Sequence, residues 1–297
     1  MISNISHYLN RFKDCLHIDR TIRDGVAEEL YTHLEDKSRE LEENGLSREE
    51  ASKIAVQSLG SPELIAKQIY ETHAQGSWKE ALFSALPHFL VALLFTSYYW
   101  QNIVYVSIIL ALTVGIAIYG WRRGKPIWLF PWLGYYLMPV VITGILLLSL
   151  PHGWGWTAAL IYIPLVLFVF IHIVKQTARR DWLYASLMLA PMLVTFSWFS
   201  SLGTGNELLA NDWIARLQAN ALWIVISFIS LAGATIAFIR LKPRRYKILS
   251  LLIPPLVILF SVTMASRGNI NSWGWLILLF SLFAFATPVW MQARAYQ

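Results

Sequence analysis

Between Leu82 and Trp100 the chain reads LFSALPHFLVALLFTSYYW, with no charged residue. A segment of about 17–25 largely uncharged residues crosses the hydrocarbon core of a bilayer. Trp78 at one end and Tyr98, Tyr99 and Trp100 at the other stand where headgroups would lie. The stretch from Trp78 to Trp100 therefore predicts a transmembrane helix. Pro87 lacks an amide hydrogen and crowds the carbonyl one turn earlier, so a kink is expected there. A bundle tolerates such a kink when a neighbouring side chain satisfies the freed carbonyl.

Seven further apolar runs follow, near residues 102–121, 127–149, 156–175, 182–202, 220–240, 248–266 and 274–292. With 56% hydrophobic and 14% charged residues, the chain fits a polytopic membrane protein of eight crossings. Arg122, Arg123 and Lys125, then Lys175, Arg179 and Arg180, then Arg240, Lys242, Arg244, Arg245 and Lys247, then Arg294 all fall on the side of the acidic head. The opposite loops hold only Arg216 and Arg267, so the positive-inside rule puts both termini in the cytoplasm. For a bacterial chain this means the inner membrane.

The crossings repeat. Pro87, Pro139, Pro191 and Pro255 fall in the outward helices at intervals of 52, 52 and 64 residues, and each is a candidate kink. Each outward helix is followed by a returning one that begins near Trp100, Trp156, Trp223 or Trp275. Four tandem helical hairpins of one orientation are expected. The longer third interval matches a longer outer loop, in which LLANDWIARL could lie as an amphipathic helix on the surface. Ser230, Gly233, Ala234 and Ala237 make two overlapping small-xxx-small pairs suited to close helix packing.

Residues 1–77 have a different character: nine Lys or Arg against fourteen Asp or Glu, while residues 78–297 hold fifteen against four. The first long apolar run begins only near Leu82, so no signal peptide is expected and this region stays on the side where it is made. Tyr8, Leu9, Phe12 and Leu16 recur at helical spacing and predict a first helix. A longer one, with Asp19 as N-cap, sets Ile22, Val26, Leu30, Leu34 and Leu41 in an apolar stripe. Glu28, Glu29, Glu35, Asp36, Glu40 and Glu43 lie mostly outside that stripe and form a candidate docking face for a basic protein. His33 falls among the apolar positions and is expected in the core. Gly45 stops the helix, and Ser47 with Glu50 predicts a capping box for a third helix through Ala51, Ile54, Ala55 and Leu59 to Gly60. Ser61 and Pro62 open a fourth, running through Leu64, Ile65 and Ile69 nearly without interruption into the first membrane helix. The single cysteine, Cys15, excludes an intrachain disulfide and is expected as a buried thiol.

The run EELYTHLEDKSRELEENGLSREEASKIAVQSLGSPELIAKQI resembles the HAAS domain, the helix-turn-helix-associated alpha-helical sensor domain, and is similar to the prefix domain of some bacterial permeases. Glu29, Leu30, His33 and Leu34, then Gly45, Ser47, Glu50 and Ala51, then Leu59, Gly60, Pro62, Glu63 and Ala66 carry the resemblance. It covers about the first quarter of the chain. Members of that family commonly join this domain to a membrane region and accompany PadR-type transcriptional regulators, which implies signalling and not catalysis. A net −5 domain without a basic stripe would be repelled by phosphates, so direct nucleic-acid binding is not expected.

Between the helix ends no Asp, Glu, Lys or Arg occurs, which argues against ion coupling or a proton relay at mid-bilayer. No Walker loop, nucleophile elbow, HExxH, dinucleotide fingerprint or kinase signature is present, so neither an enzyme nor a cofactor is expected. His88 and His172 lie in apolar segments, where an interhelical hydrogen bond is the favoured role over a haem or metal ligand. The sequence thus predicts an all-α protein: a small acidic cytoplasmic helical domain over 1–77 and an eight-helix bundle over 78–297. Its leading functional reading is a sensor or regulator that holds a cytoplasmic partner. The alternative is an accessory or structural subunit of a larger membrane complex or transporter.

Overall fold

The computed structural model describes residues 4–16, 20–73, 75–124, 126–148, 154–178, 182–199 and 212–266, together with Trp275 and Leu279. Among them all regular structure is helical. The chain divides into two compact units, 1–75 and 76–297.

The first unit contains α1 (Asn4–Cys15), α2 (Arg20–Glu43), α3 (Arg48–Leu59) and α4 (Pro62–His73). Helix α1 packs against the other three. One edge of α1 puts Phe12, followed by Leu16, against Ala27, Ala66 and Tyr70. The other puts Ile5, Tyr8 and Leu9 against Leu34 and Ala55. A two-sided apolar helix thus replaces a single stripe as the centre of the unit. The α3 capping box forms in both directions, with the Glu50 amide donating to Ser47 Oγ at 3.3 Å and the Ser47 amide donating to Glu50 Oε2 at 3.3 Å. Ser61 caps α4 through the Leu64 amide at 3.2 Å.

Several expected core positions are instead on the surface. His33 is exposed. Ile22 and Ile54 are 42% and 40% exposed, and Leu64 is exposed as well. Helix α2 has 24 residues against 12 in each of α1 and α3, so its partners cover only part of its stripe. Helix α3 turns Ala51 and Ala55 inward, leaving the bulkier Ile54 at the rim. Cys15 is half-buried, and the proposed Asp19 cap lies outside the described residues. Helix α4 ends at His73, and α5 (Trp78–Thr96) starts with its own capping box from Ser77 and Glu80. The expected continuous helix is therefore broken, because Ser77 satisfies an amide that a through-running helix would bond to backbone.

The second unit contains α5, α6 (Ile103–Arg122), α7 (Leu129–Leu148), α8 (Trp154–Ala178), α9 (Trp182–Phe199), α10 (Trp213–Ala219), α11 (Ala221–Arg240) and α12 (Arg244–Ala265). Among the described residues, five helices are long and apolar enough to cross a membrane: α5, α6, α8 over Leu160–Thr177, α11 and α12. Helix α9 is a shorter apolar helix over Trp182–Trp198. The expected run at 274–292 lies almost entirely outside the described residues.

Hairpin order sets only part of the packing: α7 packs on α8 and α9 on α11. Helix α5 lies along α11, which also packs on α12 and α9, while α6 lies against α7. Side-chain size explains the α5–α11 pairing: α5 buries Ala81, Ser84, Ala85 and Ala92, and α11 offers Ile224, Phe228, Leu231 and Phe238. Half of α11's apolar window is buried, against 11% for that of α8, so α11 is the interior helix and α8 is peripheral. The close approach expected at Gly233 occurs elsewhere. Open space surrounds Gly233, whereas a Cβ on Gly134 of α7 would overlap the Met188 carbonyl of α9.

Candidate functional site

Pro87, Pro139, Pro191 and Pro255 all lie inside continuous helices, as do Pro164 of α8 and Pro254, which the sequence reading did not single out. At Pro87 the local chemistry is fully resolved. A proline offers no N–H to the carbonyl four residues before it, here Phe83. That oxygen instead accepts a 3.0 Å hydrogen bond from Trp132 Nε1 on α7, and Trp132 is completely buried. The indole does what the missing amide cannot, and it joins α5 to α7 in doing so.

One turn along α7 from Trp132 is Tyr135, and next to Pro87 on α5 is His88. The Tyr135 hydroxyl stands 2.7 Å from His88 Nδ1, and Thr235 Oγ1 of α11 stands 3.0 Å from His88 Nε2. All three side chains are buried. A neutral imidazole donates from one nitrogen and accepts at the other, so the two hydroxyls complete both ring valences. His88 thereby makes the interhelical bonds favoured for it, and neither nitrogen is left facing a ligand. Two turns before Thr235 on α11, Ser227 Oγ accepts from Trp198 Nε1 of α9 at 3.2 Å and donates to the Trp223 carbonyl at 2.9 Å. A seam of neutral polar groups thus links α5, α7, α9 and α11 through the core.

His172 is different. It is exposed on α8, with its ring stacked on Phe168 at 6.2 Å between centroids. The expectation of a buried histidine fails because α8 is peripheral and His172 lies on its outer face. His152, Arg179, Arg180, Asp181 and Arg267 lie outside the described residues.

Lys247 was grouped by sequence with the basic loop, yet it is fully buried. Helix α12 starts at Arg244, a turn before the apolar run, and carries Lys247 inward until its Nζ lies 5.1 Å from the Phe238 ring centroid. Nearby, Arg240 donates to the Gly76 carbonyl at 2.9 Å and lies over the Trp78 ring, while the Gly76 amide donates to the Ile239 carbonyl. These bonds pin the entry of α5 to the end of α11. Van der Waals space enforces the glycine, since a Cβ there would fall 2.5 Å from Ile239 Cγ2.

In the first unit, Glu28, Glu29, Glu35, Asp36, Glu40 and Glu43 are all exposed. Among the described residues only Glu40 of these six forms an ion pair, with Lys37 at 2.8 Å. No group of three or more potential metal ligands occurs among the described residues. Just before α11, α10 begins at Trp213, and the Arg216 guanidinium bonding to Asp212 at 2.8 Å holds that carboxyl below its ordinary pKa.

No family model matches the chain, and neither a curated protein nor a solved structure matches it.

Proposed function

We propose that this chain is a multi-pass sensor or regulatory protein of a bacterial inner membrane, with both termini cytoplasmic and eight crossings. Its acidic head holds a basic cytoplasmic protein, and the resemblance to the HAAS domain makes a PadR-type transcriptional regulator the partner to test first. The observation that carries the reading is the state of α2: six carboxylates, all exposed, five of them outside any ion pair among the described residues. Unpaired surface charge steers oppositely charged partners and costs the fold little to retain. The bundle supports the same reading through its chemistry. Its interior seam is hydrogen-bonded and built from neutral groups, which fixes the helices against one another and puts no carboxylate or ammonium in the seam.

The test is a comparison of the intact protein with a variant in which Glu28, Glu29, Glu35, Asp36, Glu40 and Glu43 are replaced by Lys. Each is purified in mild detergent, and any basic companion is then repurified and rebound. The proposal expects stoichiometric rebinding that weakens with salt and is lost in the variant. Rebinding that is indifferent to both would refute the docking face.

The accessory-subunit reading draws on α8, where Leu160, Ile161, Leu165 and Phe168 are all at least 60% exposed. Surrounding lipid covers such a face equally well, so the sensor reading leads.

A further inference from the structure

Helices α11 and α12 are joined by a short turn, Leu241 to Pro243, and residues 240–247 carry five cations: Arg240, Lys242, Arg244, Arg245 and Lys247. No Asp or Glu follows Asp212 in the sequence. Among the described residues of the second unit the carboxylates are Glu80, engaged with Ser77 in capping α5, and Asp212, beyond the opposite end of α11.

The five cations divide by exposure. Lys247 is buried, and Arg240 is held by the Gly76 carbonyl and the Trp78 ring, so neither is offered outward. Arg244 is half-buried. Lys242 and Arg245 are exposed and form no ion pair among the described residues. Arg245 is also oriented, its guanidinium 4.9 Å from the Tyr246 ring centroid and its Nη2 donating to the Tyr246 hydroxyl at 3.4 Å. Arg240 and Arg244 beside them add to the positive potential at this turn.

Below the turn, Tyr246, Leu249, Ile253 and Leu256 of α12 are each more than 40% exposed. Arg245, Leu249 and Leu256 recur at i, i+4 and i+11, so the guanidinium heads the same apolar face. At 1.5 Å per residue, Tyr246 to Leu256 extends about 15 Å, the depth of one leaflet of a hydrocarbon core of about 30 Å. The end of α6 offers less. Arg122 and Arg123 are exposed there and Arg123 lies over the Tyr119 ring, but α7, on which α6 packs, contains no cation to join them.

We propose that the α11–α12 turn binds an anionic glycerophospholipid, its phosphodiester held by Lys242 and Arg245 and its acyl chain along Leu249, Ile253 and Leu256. An ammonium and a planar guanidinium fork suit phosphate oxygens, and the apolar face supplies what a free phosphate could not use. The site rests on α11 and α12 lying in a bilayer and uses none of the α2 carboxylates, so its failure would leave the docking face standing.

The experiment titrates dioleoyl phosphatidylglycerol or dioleoyl phosphatidylcholine into the full-length protein in mild detergent and counts bound lipids by native mass spectrometry. One saturable phosphatidylglycerol is expected at concentrations where phosphatidylcholine leaves the protein bare. The double variant Lys242→Gln, Arg245→Gln should weaken that binding about thirtyfold, roughly fivefold for each basic residue removed. The double variant Arg122→Gln, Arg123→Gln removes the same charge from the end of α6 and should change it less than threefold. Both variants should unfold at the native temperature in lipid-free micelles, since all four side chains are exposed. Equal binding of phosphatidylcholine, equal losses in the two double variants, or displacement by an equal concentration of glycerol phosphate would overturn the proposal.

Discussion

Single residues in this chain carry definite and separable physical loads. Glu50 is one. Hydrogen bonds from the Ser47 hydroxyl and then the Ser47 backbone amide lower its pKa in the folded head. A carboxylate whose folded pKa is depressed contributes stability above its unfolded pKa, and that contribution disappears as pH falls through the folded value. Amide exchange in the first turn of α3 should therefore be slower in the native protein than in Glu50→Gln near neutral pH. The difference should close on acidification through the carboxylate range. Gly134 is another. A methyl group there meets the backbone oxygen of Met188, which cannot rotate away, so Gly134→Ala should cost about 1–3 kcal/mol. Gly233→Ala enters open space and should be neutral or should gain up to about 1 kcal/mol of helix propensity. Parallel denaturant titrations of the two variants in micelles check this contrast, and equal losses would contradict it.

At the scale of helices, the α5–α7 contact is built around the defect that Pro87 creates. Restoring an amide with Pro87→Ala gives the Phe83 carbonyl a backbone partner, so the indole of Trp132 loses its task. Trp132→Phe should therefore destabilise the native protein more than it destabilises the Pro87→Ala protein. The coupling should be about 0.5–2 kcal/mol, the range measured for hydrogen bonds between membrane helices. A double-mutant cycle by unfolding in mixed micelles measures it, and zero coupling would mean that the indole bond is incidental. This contact also marks the limit of what sequence conveys. Periodicity, capping boxes and proline positions announced the helices, and the freed carbonyl at Pro87 followed from bond chemistry. Its partner did not, because Trp132 lies 49 residues away and nothing local designates it. The same holds for His88, whose partners are 47 and 147 residues distant. His33 shows the converse error. It is adjacent to buried Leu34, and on a helix a step of one residue turns a side chain about 100° away from the core. Lys247 was misplaced because α12 begins a turn earlier than its apolar run.

For the whole molecule, the central proposal is that a bundle in the membrane carries the acidic head on the cytoplasmic side. Five helices long and apolar enough to cross support the membrane part, and the distribution of Lys and Arg supports the orientation. The most direct measurement is labelling of single cysteines in intact spheroplasts with a membrane-impermeant maleimide, in a Cys15→Ala background. Gln68→Cys, exposed on α4, and Gln218→Cys, exposed on α10, report the two sides. The account predicts immediate labelling of the α10 position and labelling of the α4 position only after permeabilisation. The reverse pattern, or prompt labelling at both sites, would put the head outside and remove its cytoplasmic partner.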